Sequence, residues 1–162
     1  MPDPQARGSV DPDVDLREPR QRAELRRAPV AVLGVISVGG ALGASARYGL
    51  GVAFPAGPRG FPWATFAVNV SGCLLIGALM VCVTQLWSGR PLVRPFLGVG
   101  ILGGFTTFST YVVEIQHLLD AGSVAIALGY LGGTVAAAVA ATWAGIGVAR
   151  WLLRRLRLRS VA

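Results

Sequence analysis

The sequence predicts an all-α membrane protein with four transmembrane helices, and three observations support this fold class. Hydrophobic residues make up 53% of the 162 residues and charged residues only 14%, which is unlike ordinary soluble domains. Four long apolar segments are joined by short connections, which favours antiparallel neighbours in a compact bundle. Tryptophans and arginines lie at several segment ends, where helices meet the membrane interfaces.

The predicted spans cover about residues 29–52, 63–87, 92–119 and 123–151. Pro29 suits the first turn of the first span, and Trp63 and Trp87 bracket the second. The fourth span follows Asp120-Ala121-Gly122, a turn signal, and Ser123 is a plausible cap. The four spans together form one predicted four-helix transmembrane domain, residues 29–152.

The two ends of the chain are predicted to be cytoplasmic tails. Residues 1–28 contain six arginines and six acids without an apolar stretch, which predicts a disordered tail and not a signal peptide. Residues 153–162 form a basic C-terminal tail. With Arg90 and Arg94 on the same side and Arg59 opposite, the positive-inside rule places both termini in the cytoplasm of a cell-membrane protein.

The third segment contains the most informative stretch, Gly103 to Thr110, which reads GGFTTFST. As one straight helix the segment would be about 42 Å long, more than the roughly 30 Å of bilayer hydrocarbon, so a break at the glycines is expected. Irregular backbone at membrane depth is tolerated where it is buried in protein or lines a cavity, and such breaks hold ions in transporters. We therefore expect the function to reside here.

This stretch offers groups for ions of both signs. Unwinding at Gly103 and Gly104 would free carbonyls for a small hard cation. The hydroxyls of Thr107, Ser109 and Thr110, together with new helix N-terminal amides, could meet an anion, and the positive ring edge of Phe108 adds a weak contact. The alternative is a glycine kink that threonine hydroxyls patch.

Other polar residues within the spans are candidates because polar groups are costly in lipid. Asn69 offers amide donors to an anion or a hydrogen bond between helices. Arg47 is either an interfacial arginine or part of an anion vestibule, and Glu114 either lines the pathway or pairs with Arg47 or Arg59. Tyr130 and Thr134 share one face of the fourth span, which Ala138 continues without a polar group.

Small residues recur at helix-packing spacing and predict oligomerisation, because four helices need less small-residue surface than this chain offers. The pairs are Gly39 with Gly43, Gly40 with Ala44 and Gly129 with Gly133, followed by an alanine- and glycine-rich face over 136–147.

Enzymatic and nucleic-acid functions are not supported. His117 is the only histidine, and no span residue could activate a serine or threonine as a nucleophile. The net charge of +7 arises from arginines beside hydrophobic spans, which points to lipid headgroups and not to nucleic acid.

Three motifs resemble the Fluc (CrcB) fluoride channel family: GGALGASARYG in span one, FAVNVSG in span two and GILGGFTTFSTYVVE in span three. The resemblance covers all four spans and excludes the tail before Pro29. It implies an antiparallel dimer with two fluoride pores and a structural sodium ion at the dimer centre.

The resemblance also implies residue roles. The sodium ligands are similar to the carbonyls of Gly103 and Thr106, and the pore asparagine is similar to Asn69. Phe108 matches the first pore phenylalanine, whereas the second falls on Tyr111, whose hydroxyl could donate to fluoride or obstruct it. The remaining matches are Arg47 in the vestibule, Glu114 in span three, and Tyr130 and Thr134 on a polar track.

The expected function is a passive fluoride-selective channel that lets cytoplasmic fluoride leave the cell. Because the arginine bias fixes one orientation, the antiparallel partner is either a second copy or an oppositely oriented paralogue. The alternative is a four-span proton-coupled exporter of the small multidrug type, but span one lacks the membrane-embedded carboxylate that such a protein needs.

Overall fold

The computed structural model describes residues 29–87, 90 and 92–159, and all regular secondary structure within these residues is helical. The third hydrophobic segment begins with a π-helix, Arg94–Leu102, and each other element is an α-helix. The α-helices are α1 (Pro29–Ala53), α2 (Trp63–Gln85), α3 (Gly103–Phe105), α4 (Ser109–Asp120) and α5 (Val124–Arg159). The predicted tail 1–28 lies outside the described residues.

Four segments of the described chain are long and apolar enough to cross a membrane, which confirms the predicted fold class at this level. They are Val30–Ala53, Trp63–Gln85, Arg94–Asp120 and Val124–Leu156. The helix of the fourth span, α5, continues to Arg159, whereas the sequence predicts a span that ends near Trp151. Residues 153–159 of the predicted basic C-terminal tail are therefore helical.

The third segment is non-helical at residues 106–108, not at the glycines. Gly103 and Gly104 are helical, so the expectation that the chain unwinds at these two residues is wrong. Thr106 has extended backbone, with φ −75° and ψ 156°, and α4 restarts at Ser109. Gly104 is needed for close packing instead, because a Cβ atom there would overlap the carbonyl of Gly40 in α1.

Close glycine contacts join the helices in two pairs. A Cβ atom on Gly39 would lie 2.6 Å from the Phe96 carbonyl oxygen, and a Cβ atom on Gly43 would overlap the Ile101 carbonyl oxygen. The backbone of α1 therefore packs directly on the π-helix. Gly77 and Gly145 have the same role between α2 and α5. In contrast, Gly129 and Gly133 meet no atom within 4 Å in the described chain.

Candidate ion pathway

Two cavities adjoin the non-helical turn. The larger has a volume of about 460 Å³ and lies among α2, the third segment and α5. The smaller, about 230 Å³, lies among α1, α2 and α4 and is lined by Arg47 and Glu114. Thr107 lines both cavities, so the turn lies at their junction. Asn69, Thr106, Phe108, Tyr111 and Thr134 line the larger cavity.

Asn69 holds the turn through a pair of hydrogen bonds to one residue. Its Nδ2 donates to the Thr107 carbonyl oxygen at 2.9 Å, and the Thr107 amide donates to Asn69 Oδ1 at 2.9 Å. An amide side chain has two N–H donors and Nδ2 uses one of them here, so one N–H remains for another acceptor. Of the two roles that the sequence allows for Asn69, the structure shows the hydrogen bond between segments, here from α2 to the turn of the third segment. The second N–H of the amide is still free to donate to an anion.

The turn leaves the carbonyls of residues 103–106 without their helical donors, and only that of Gly104 gains a side-chain donor, Arg47. In a continuous helix the Thr107 amide would donate to the Gly103 carbonyl, but it donates to Asn69 instead. The Thr110 amide would likewise donate to the Thr106 carbonyl, but it donates to Thr107 Oγ1 at 3.2 Å. The carbonyls of Gly103 and Thr106, which the resemblance assigns to a cation, are two of the three that remain without a donor, and Phe105 has the third.

The hydroxyls of the turn form a local network. Thr107 Oγ1 donates to Thr110 Oγ1 at 3.0 Å and lies 3.3 Å from Ser109 Oγ. Thr106 Oγ1 donates to the Leu102 carbonyl at 2.9 Å. A threonine hydroxyl bonded to the backbone in this way is what the alternative of a glycine kink predicts. The structure thus brings Thr107, Ser109 and Thr110 together at the start of α4.

The two aromatic rings of the third segment differ in exposure. Phe108 is 77% exposed at the rim of the larger cavity, whereas Tyr111 is only 5% exposed. Their ring centroids are 5.8 Å apart. The Tyr111 hydroxyl donates to the Leu131 carbonyl in α5 at 2.7 Å, so it has a protein acceptor.

Glu114 is held by two hydroxyls. Thr65 donates to Oε1 and Tyr130 donates to Oε2, each at 2.7 Å. Among the described residues no guanidinium lies within ion-pair distance of Glu114, so the alternative of pairing with Arg47 or Arg59 is wrong. Thr65 is not among the site residues predicted from the sequence, although it lies on α2 one turn before Asn69.

Arg47 contacts the backbone of the third segment. Its Nε donates to the Gly104 carbonyl at 3.2 Å, close to the end of α3, and the side chain lines the smaller cavity. A cation is favourable at a helix C-terminus because the last carbonyls lack donors. Arg47 therefore combines a position beside the cavity with a bond to the backbone.

Thr134 has a buried hydroxyl oxygen with no hydrogen-bond partner in the described chain. The residue is 5% exposed and lines the larger cavity, and Ala138 follows one turn later. Buried polar groups in proteins nearly always have partners, and an orphan is costly. The Thr134 hydroxyl is thus available to a polar or ionic occupant.

Comparison with known proteins identifies the family. A family model described as "CrcB-like protein, Camphor Resistance (CrcB)" matches residues 34–146, which include most of the first and fourth spans and all of the second and third. The chain belongs to the CrcB family. This confirms the resemblance that the three sequence motifs predict.

Several CrcB relatives share most of their length with this chain. Fluoride-specific ion channel FluC 2 of Nocardia farcinica is 58% identical over 121 residues, covering 75% of this chain and 86% of that protein. FluC 2 of Streptomyces avermitilis is 46% identical over 135 residues, which cover 83% of this chain and 84% of that protein. FluC of Paracoccus denitrificans is 42% identical over 117 residues, which cover 72% of this chain and 93% of that protein.

CrcB membership and the four apolar helices make this chain a multi-pass membrane protein of an ion channel family. The family is not one of enzymes, in agreement with the sequence prediction. The small multidrug-type exporter is not favoured.

Proposed function

We propose that this chain is a passive, fluoride-selective channel of the cell membrane through which cytoplasmic fluoride leaves the cell, reducing fluoride toxicity. The names of its relatives support fluoride as the ion. The observation that carries the proposal is the junction at Thr107, where a turn held by Asn69 separates two cavities.

The proposed pathway replaces the hydration shell of fluoride with closely spaced donors. Fluoride is small and strongly hydrated, so a pore must offer such donors without binding the ion too tightly. The remaining N–H of Asn69, the hydroxyls of Thr107, Ser109 and Thr110, and the orphan hydroxyl of Thr134 supply them. The ring edges of Phe108 and Tyr111 add weak contacts along the same cavity.

We assign Arg47 and Glu114 to the vestibule of this pathway. Both residues line the smaller cavity. The Arg47 side chain donates a hydrogen bond to the Gly104 carbonyl, and the Glu114 carboxylate accepts hydrogen bonds from Thr65 and Tyr130. A cationic lining raises the local concentration of anions. Tyr130 then has a structural role at the pathway, since it is fully buried and positions Glu114.

A structural sodium ion fits the residues present. Hard cations in proteins take oxygen ligands, and the carbonyls of Gly103 and Thr106 both lack their helical donors. These two carbonyls would hold the ion, which would neutralise their partial negative charge and fix the turn. The ion is not transported in this proposal.

The active unit is proposed to be an antiparallel dimer. Phe108 is highly exposed beside the larger cavity, and the open glycines of α5, Gly129 and Gly133, leave room for another helix. A second subunit related by two-fold symmetry would supply the same pair of carbonyls and complete the ion site. The arginine bias places both termini of this chain in the cytoplasm, so an oppositely oriented paralogue is the alternative to a second copy.

The test is fluoride efflux from proteoliposomes that contain the purified chain and sodium, measured with a fluoride electrode. Asn69→Asp should lower efflux at least about tenfold, because a carboxylate loses the donor to Thr107 and repels the anion. The matched control is Gln85→Glu, which places a carboxylate at the exposed end of the same helix, away from both cavities.

Two outcomes of this test separate the parts of the proposal. Efflux from the chain alone would remove the need for a paralogue. If the chain is silent alone but conducts with an oppositely oriented paralogue, the heterodimer is correct. Absence of fluoride efflux under both conditions would contradict the proposed function.

A further inference from the structure

The fifth α-helix is longer than a membrane span requires. Its 36 residues would extend about 54 Å, whereas the bilayer hydrocarbon is roughly 30 Å thick and the whole bilayer about 40–45 Å. Residues 124–149 carry no charge, and they cover about 39 Å along the helix axis. Arg150 therefore lies beyond the hydrocarbon even if the helix has an ordinary tilt.

Packing against α2 fixes the level of the C-terminal part of α5. Ala149 and Leu153 are buried against Val81, and α2 ends shortly afterwards at Gln85. Trp87 follows there, in the position of an interfacial tryptophan. The residues of α5 after Leu153 thus leave the bundle at headgroup depth.

The exposed residues at this level have the chemistry of a phosphate-binding interfacial surface. Arg150, Arg154 and Arg155 are exposed, and the Arg155 guanidinium carbon lies 4.8 Å from the centre of the Trp151 ring. Guanidinium groups bind phosphate in a bidentate manner, and tryptophan favours the headgroup region. No Asp or Glu occurs in residues 121–162, so these residues provide no acidic side chain to pair with the arginines.

We infer that the C-terminal arginine surface, formed by Arg150, Trp151, Arg154 and Arg155, binds the phosphodiester headgroups of anionic phospholipids. Exposed leucines beside it, Leu152 and Leu156, would lie against the acyl chains near the headgroups. The position of the arginines along the helix and their positive charge both favour a lipid over a soluble partner. This inference goes beyond the proposed function, since none of these residues lines either cavity.

The experiment measures lipid retention by the full-length purified protein with native mass spectrometry, using phosphatidylglycerol and phosphatidylcholine as probes. The double variant Arg154→Gln/Arg155→Gln should bind phosphatidylglycerol about tenfold less than the unmodified chain, while phosphatidylcholine binding stays the same. Arg154→Lys/Arg155→Lys should retain part of the preference, because the charge remains and the bidentate geometry is lost.

The matched control is Arg90→Gln/Arg94→Gln, which removes two exposed arginines from the connection between the second and third spans, on the same side of the membrane. This control should keep the lipid preference. Equal phosphatidylglycerol binding by the α5 double variant and the unmodified chain would overturn the inference. Loss of the preference after deletion of residues 2–28, with the α5 arginines intact, would also overturn it. Lipid retention is read without fluoride, so a failure here is distinct from a failure of the proposed channel activity.

Discussion

Asn69 and Thr107 show how one side chain allows a helix to stop at membrane depth. An unsatisfied backbone N–H or C=O in a buried site costs about 1–3 kcal/mol, and lipid offers no water to replace the lost bond. The Asn69 amide satisfies both groups of Thr107 at once. The same bonds release the Gly103 carbonyl, so one residue both supports the turn and exposes an oxygen that we propose for the sodium ion.

Tyr111 tests whether a hydroxyl in this pathway takes part in conduction. Its hydroxyl donates to the Leu131 carbonyl, which joins α4 to α5. Tyr111→Phe should keep fluoride efflux and selectivity over chloride, because the ring edge remains at the cavity. The variant should unfold at a temperature lower by about 2–4 °C, since one buried hydrogen bond of about 1 kcal/mol is lost.

The two readouts for Tyr111→Phe are efflux with a fluoride or chloride electrode and the loss of the monodisperse peak after heating in detergent. Tyr48→Phe is the control for the stability readout, because Tyr48 is highly exposed. A change in chloride discrimination for Tyr111→Phe, with stability unaffected, would place the hydroxyl in the ion path.

Among the elements, α1 and the third segment lie so close together that their contact positions have room for glycine but not for a residue with a Cβ atom. Gly39, Gly43 and Gly104 all lie where a Cβ atom would meet the backbone of the neighbouring helix. Backbone atoms cannot move aside as a flexible side chain can, so these glycines fix the separation of the two elements. Arg47 of α1 donates to the Gly104 carbonyl, so this close packing also positions the Arg47 side chain at the smaller cavity.

Gly43→Ala should destabilise the protein, because the added methyl group overlaps the Ile101 carbonyl and forces the helices apart. Overpacking of this kind costs about 1–3 kcal/mol, which thermal unfolding in detergent would register as a lower midpoint. The control is Gly34→Ala in the same helix, where the built Cβ meets nothing within 4 Å. There the higher helix propensity of alanine should leave stability equal or higher. Equal midpoints for the two variants would contradict the packing argument.

For the whole molecule, the open side of the larger cavity is the feature that a single subunit does not complete. Phe108 is highly exposed there, and Val135 and Val139 of α5 are more than half exposed on the same cavity. Lipid contact accounts for an apolar surface, but the orphan hydroxyl of Thr134 nearby requires a polar partner. A second subunit over this side would enclose the pathway, as the dimer proposal requires.

Val139→Trp should shift the purified protein from dimer to monomer, because the larger side chain occupies the space that the partner subunit needs. Size-exclusion chromatography with light scattering in detergent would measure the change, with the unmodified chain as reference. Val148→Trp is the control, since it adds the same side chain at an exposed position of α5 that does not line the cavity. If the unmodified chain is monomeric when it conducts fluoride, the dimer is wrong.

The sequence by itself determined the class of the protein, its four spans, its family and the stretch in which we propose the ion site. These features depend on local composition: hydropathy over about 20 residues defines a span, and polar residues inside a span are rare enough to mark a site. Asn69, Thr107 and Thr134 were identified in this way, and all three line the larger cavity.

Only the tertiary structure decided where the chain leaves the helix and which partner each polar group takes. Asn69 and Thr107 are 38 residues apart, Thr65 and Glu114 are 49 apart, and Arg47 and Gly104 are 57 apart. No local pattern specifies such pairs, because they depend on which helices meet and in what register. Gly104 illustrates the physical reason. Its sequence context predicts a helix break, yet Gly104 is helical, and α1 packs directly on its backbone.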